Sequence, residues 1–151
     1  TVSVISTDHC AFDSTQKART SYGEVPKGLP GVETRLAVVY TAGVASGRIS
    51  ENRFVEVTST NPAKLFGLHP RKGALSPGSD ADIVVIDPEA EGRLTAEALH
   101  MVDWSPYEDM AVKGLPVITL LRGKVIARGG RFTGKKGFGE FLPAGPFEPP
   151  R

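Results

Sequence analysis

A chain of 151 residues has room for one ordinary domain or for one end of a larger one. Its formal charge of +1 gives no electrostatic basis for binding nucleic acid or an anionic membrane. Its apolar runs all fall short of the roughly 20 residues that span a bilayer, and the one cysteine excludes an internal disulfide, so a cytoplasmic protein is expected.

Taken in chain order, Val2, Val4 and Ile5 with interleaved Ser and Thr predict a short buried strand over 1–7 that ends in Asp8-His9-Cys10. Residues 12–31 carry Ser, Gly and Pro without periodicity and read as a long loop, a length that is usually functional inside a compact domain. Val32, Leu36, Val39 and Tyr40 repeat at helical spacing, with Gly47 as the stop. A second helix is expected over 51–59 behind Ser50, and a third with Asn61 as cap, Pro62 in the first position and Gly67 at the end.

Beyond Leu68 the texture changes. Residues 81–88 predict a strand closed by Pro88, residues 89–116 are mixed with one short helix around Thr95 to His100, and 117–121 with 124–127 predict a hairpin turning at Arg122-Gly123. A further turn falls at Gly129-Gly130, and the Gly/Pro-rich tail from Gly134 carries Phe138, Phe141 and Phe147. A lone apolar strand cannot make a sheet, so the first part is expected to complete something supplied elsewhere. Charge is unevenly spread. Nine acids lie between Asp80 and Asp109 against Arg93 alone, and residues 110–139 are purely basic; the blocks either pair, within the fold or across subunits, or form two solvated faces.

Asp8 is the leading functional residue, because β/α barrels build their sites from side chains at the C-terminal tips of strands. It reads as a metal ligand or general base, or as a turn aspartate. Alternation along a strand puts Asp8 and Cys10 on one face and His9 on the other, so the three cannot share an ion while the strand continues. Cys10 reads more readily as a small buried hydrophobe than as a nucleophile. His69 and His100 are isolated, and no His-x-His, His-Glu-x-x-His or Cys-x-x-Cys spacing exists, so this chain cannot complete a zinc site in any usual pattern. Residues 129–136 come near a phosphate-binding loop, but Lys136 replaces the hydroxyl and no helix follows.

Three stretches together go beyond composition: Ser6-Thr7-Asp8-His9-Cys10 with Phe12; Pro26-Lys27-Gly28-Leu29-Pro30-Gly31-Val32-Glu33; and residues 58–68 around Asn61-Pro62-Ala63-Lys64-Leu65-Phe66-Gly67. With Gly78-Ser79-Asp80-Ala81-Asp82-Ile83-Val84-Val85, Tyr107 to Met110 and Val117 to Gly123, they closely resemble the C-terminal third of D-hydantoinases and dihydropyrimidinases, cyclic amidohydrolases.

The resemblance implies an α/β fold: the C-terminal portion of a β/α barrel plus part of a small flanking β-sandwich. Residues 1–67 would be the last strand, loop and helices of the barrel, 68–133 the sandwich segment, and 134–151 a tail reaching a neighbouring subunit of a homotetramer. It implies hydrolysis of a small cyclic amide or ureide to an N-carbamoyl acid at a dinuclear zinc centre. Asp8 would be both metal ligand and proton carrier, and Lys27 would hold the ring through its main chain. The family typically has Asn at the Lys27 position, a change a main-chain contact tolerates. A strand-one His-x-His pair, a carboxylated lysine and two further histidines, which the family uses as ligands, are not in these residues, so the chain alone is expected to be inactive. The family also includes non-catalytic scaffold proteins, the alternative reading.

Overall fold

The computed structural model describes residues 2–149; Thr1, at the head of the expected strand, and the last two residues of the tail lie outside them. A one-turn helix α1 (Ser14–Lys17) sits early in the long loop. Helix α2 (Arg35–Val39) widens into a π-helical segment (Tyr40–Ala45), and α3 (Glu51–Val55) runs through a second such segment (Glu56–Thr60) into α4 (Asn61–Leu65). One antiparallel sheet follows in the order β1 (Ile83–Arg93), β2 (Ala111–Leu121), β3 (Lys124–Arg128), β4 (Arg131–Phe132).

Local chemistry accounts for the helix ends. The Ser50 hydroxyl accepts the Arg53 N–H, as its cap role predicts. At the other end the Gly67 N–H reaches the Lys64 carbonyl and the Leu68 N–H the Ala63 carbonyl, a Schellman closure that needs the positive φ of Gly67. The two helices expected over 51–67 form one continuous rod. Asn61 caps nothing; it lies inside the rod, 3% exposed, and its amide donates to the Ser3 carbonyl at 2.8 Å. Pro62 has no N–H for the carbonyl four residues back, and the helix accommodates this by widening in the preceding turn instead of stopping.

The sheet also departs from expectation. Pro88 does not close β1. The strand continues to Arg93, with Pro88 and its neighbours in an irregular bulge between Asp87 and Glu91, a position where proline's missing donor is tolerated. Residues 111–116, expected to be mixed, belong to β2, and the short helix near Thr95 is a single 3-10 turn, Ala96–Ala98. Both hairpin turns are as expected, at Arg122-Gly123 and Gly129-Gly130. All four residues have positive φ, the signature of a type I′ turn.

The core lies between the helices and β2, where Ala37, Tyr40, Phe54, Val57, Ala63 and Val112 are buried and Tyr40 meets Phe54 edge-on at 5.4 Å. The Thr41 hydroxyl binds both the N–H and the carbonyl of Lys113, stitching the helix to the strand. This core is small. Leu75, Phe66, Val55, Val84 and Val85 stay exposed, and an apolar groove of about 490 Å³ runs between Leu36, Phe54, Val55 and Ile83. No helix among the described residues is long and apolar enough to cross a membrane.

The first segment runs extended without lateral strand partners among the described residues. The Ile5 N–H donates to the Val57 carbonyl, while Arg53, Asn61 and Arg35 hold the carbonyls of Val2, Ser3 and Ile5. Side chains of α2 and of the helical rod thus satisfy carbonyls that a neighbouring strand would otherwise take. The tail docks on the same rod. The Gly145 N–H donates to the Gly67 carbonyl at 2.7 Å, and a Cβ on Gly67 would lie 2.1 Å from the Gly145 oxygen, so this approach is open only to glycine.

Candidate active site

The extended segment delivers Asp8 at its tip, exposed and with a φ of 45°. A non-glycine residue in that region is uncommon, and the backbone there turns sharply into the loop. Among the described residues no hydrogen bond occupies the Asp8 carboxylate, whereas its neighbours are engaged. His9 Nδ1 accepts the N–H groups of Gly31 and Val32 at 3.0 and 3.2 Å, which leaves the proton of the neutral ring on Nε2, buried and unpartnered among these residues. The Cys10 N–H donates to the Leu29 carbonyl, and a Cβ on Gly28 would lie 2.3 Å from Cys10 Cβ and 2.8 Å from its Sγ. The expected strand is thus an extended segment with one isolated bridge, His9 to Leu29, and the end of the loop closes directly on its tip. His9 and Cys10 act as its clasp and Asp8 is left free.

Asp13 nucleates the other end of the loop. Its carboxylate accepts the Gln16 N–H at 2.8 Å while Gln16 Oε1 accepts the Asp13 N–H at 2.9 Å, a reciprocal cap that fixes α1. The Thr15 hydroxyl, then the Gln16 amide, hold the Asp13 carboxyl below the usual carboxylate range. Asp103 is lowered in the same way by the Ser14 hydroxyl and then its N–H, and this pair ties α1 to a segment far along the chain. At the centre of the loop the Lys27 ammonium folds back, 3.6 Å from the Tyr22 ring centroid and 2.7 Å from the Tyr22 carbonyl. The Lys27 side chain is thereby occupied locally, and its peptide groups are what the turn presents.

Sequence reading assigned no role to Lys17 or to the clasp function of His9. The Asp13-x-x-Gln16 capping pattern was the readable signal for Lys17, since it sets the turn that this residue ends.

A second polar cluster lies at the foot of the hairpin. Lys72 bridges Asp80 (2.8 Å) and Asp82, Arg71 reaches Asp80 at 3.0 Å, and Asp82 accepts the Arg122 N–H at 2.8 Å. Partial burial works against the Lys72 charge, but the hydrogen bonds it donates to Asp80 and Asp82 outweigh this and hold the ammonium above its ordinary range. This network anchors the Gly-Ser-x-Ala-Asp segment to the hairpin.

No three His, Cys, Asp or Glu side chains among the described residues gather closely enough to hold a metal ion. Asp8 offers an oxygen donor free of hydrogen bonds among the described residues, at the tip of the extended segment. His9 Nδ1 is taken by the Gly31 and Val32 N–H groups.

The described residues thus bring together an exposed carboxylate free of hydrogen bonds, at the tip of the first extended segment, and a long loop closed beside it. Residues 2–126 match the model of the amidohydrolase family, and the chain belongs to that family. Over 153 aligned residues it is 48% identical to the D-phenylhydantoinase of Escherichia coli O127:H6 (strain E2348/69 / EPEC), covering 99% of this chain and 33% of that protein. The dihydropyrimidinase from Brevibacillus agri NCHU1002 superposes on 98% of the chain with a TM-score of 0.93 and 40% identity, and 33% of its own length is covered. The D-hydantoinase of Bacillus sp. AR9 gives a TM-score of 0.92 at 43% identity, over 97% of this chain and 33% of that one. The chain thus spans about a third of the relatives it matches.

Proposed function

We propose that these residues form the C-terminal third of a metal-dependent cyclic amidohydrolase. The enzyme adds water across a ring C–N bond of a hydantoin or dihydropyrimidine and releases an N-carbamoyl acid. The observation that carries this reading is the free Asp8 carboxylate beside a loop closed onto it by His9, in a chain 48% identical to a D-phenylhydantoinase over nearly its whole length. Residues 1–67 are then the barrel's last strand, loop and helices, and 68–133 a segment of the flanking sandwich. The tail, 134–151, exposes Phe141 and Phe147 toward a neighbouring subunit of a homotetramer in the cytoplasm.

Asp8 fits as one ligand of a dinuclear zinc centre whose other ligands lie outside these residues. When bound, the metal polarises the ring carbonyl and acidifies the attacking water. Asp8 takes the proton released by that water and delivers it toward the leaving ring nitrogen. The Lys27 peptide groups hold the ring by main-chain hydrogen bonds, which fix the carbonyl relative to Asp8.

The test is ring opening by the complete polypeptide, followed by loss of absorbance of hydantoin and dihydrouracil. Activity that a chelator abolishes and zinc restores supports the enzyme. A folded, metal-free and inactive complete protein would instead support a scaffold relative.

A further inference from the structure

One cation holds the central turn of the loop that carries Lys27. Lys17 Nζ lies 2.6 Å from the carbonyl oxygen of Pro26 and 2.6 Å from that of Gly28. The ring centroids of Phe12 and Trp104 stand 5.5 and 5.6 Å away, and Trp104 Nε1–H donates to the Phe12 carbonyl at 2.6 Å. An ammonium has three donors; two are spent on the carbonyls, and the aromatic faces add negative potential around the charge.

Those two carbonyls flank Lys27. A trans peptide is planar, with its C=O and N–H on opposite sides. Fixing the Pro26 carbonyl therefore aims the Lys27 N–H away from Lys17, and fixing the Gly28 carbonyl does the same for the Leu29 N–H. Among the described residues neither the N–H nor the C=O of Lys27 has a hydrogen-bond partner, while the peptide groups on both sides are pinned.

We infer that Lys17 is a positioning residue for substrate: it locks the Pro26–Gly28 turn so that the Lys27 main chain offers a donor and an acceptor at fixed angles to a cyclic ureide. This rests on the reading of the site given above. Lys17 acts through the backbone and does not itself touch the ring. Its role is distinct from that of His9, which closes the end of the loop and leaves its middle unconstrained.

The experiment uses the complete, metal-loaded enzyme with Lys17→Met, which keeps the length and removes the donors, and Lys17→Arg, which retains a cation. KM and kcat are measured on hydantoin and dihydrouracil, with metal content, Tm and hydrogen exchange over residues 22–31. In Lys17→Met, KM rises about 10- to 100-fold, the scale of losing hydrogen bonds to a charged group. There kcat changes less than about threefold, the Glu24 and Val25 amides, bonded within the loop just before Pro26, exchange faster, and Tm and metal content hold; Lys17→Arg recovers most of the loss. A KM within about twofold of wild type overturns the inference. So does a loss that Arg does not recover and that follows Tm or metal content. A wild-type enzyme that opens neither ring overturns the functional reading, and the exchange data then decide the positioning claim alone: an unchanged loop refutes it.

Discussion

Gly28→Ala tests whether the loop and the strand tip are coupled as described. The new Cβ falls 2.3 Å from Cys10 Cβ and 2.8 Å from Sγ, and the backbone sits at a φ of +119°, outside the range of L side chains. Backbone strain of about 1–2 kcal/mol adds to overpacking of about 1–3 kcal/mol, so the site must absorb about 2–5 kcal/mol. The nearest restraints are three neutral hydrogen bonds, Cys10 N–H to Leu29 and the Gly31 and Val32 N–H groups to His9. Together these contribute about 3 kcal/mol, comparable with the penalty, so the clasp opens before the helical core does. Gly47→Ala is the control, because Gly47 has a φ of +73° with nothing within 4 Å of its Cβ and registers strain alone. Hydrogen exchange at Gly31 and Val32 is the assay. A 2 kcal/mol opening accelerates it about 30-fold, Tm moves no more than in the control, and ring-opening activity is lost. Exchange within about twofold of wild type at these amides would refute the coupling.

Two further predictions concern the scaffold. Gly114→Ala places a Cβ 2.0 Å from Tyr40 Cδ1 at a φ of +79°, in the core; it lowers stability by about 3 kcal/mol or more, against about 1 kcal/mol for Gly47→Ala, read from urea midpoints. Asp80 is held below the usual carboxylate range by Lys72 first and then Arg71. Its stabilising contribution is therefore present above the unfolded value of about 4 and is lost as pH falls through the lower folded value. Asp80→Asn lowers the urea midpoint at neutral pH, and the difference from wild type vanishes in strong acid.

The sequence made the local devices readable. Gly123, Gly129 and Gly130 announce tight hairpins through residues suited to positive φ, and Arg122 sits in the same region with its N–H held by Asp82 and its guanidinium held by the tail against Phe138 and Glu140. Asp8 stood out because an apolar run ends on it. What misled was chemistry decided at longer range. Asn61 carries a cap signal, but the Ser3 carbonyl claims its amide, and Pro88 carries a stop signal that a bulge absorbs. The loop was unreadable for the same reason, since Ser14 finds Asp103 89 positions away and Trp104 finds Phe12 92 away. The role proposed for the Lys27 main chain rests on family resemblance; no residue type encodes it.

The central claim concerns Asp8, and the most direct measurement is ring opening by the complete, zinc-supplied polypeptide carrying Asp8→Ala beside wild type. With both metal ligation and proton transfer removed, kcat/KM on hydantoin falls by about 10³-fold or more and bound zinc drops below the wild-type level, while the metal-free forms of variant and wild type share a similar Tm, because the side chain is exposed and makes no hydrogen bond among the described residues. A folded Asp8→Ala protein with wild-type activity and metal content would contradict the account.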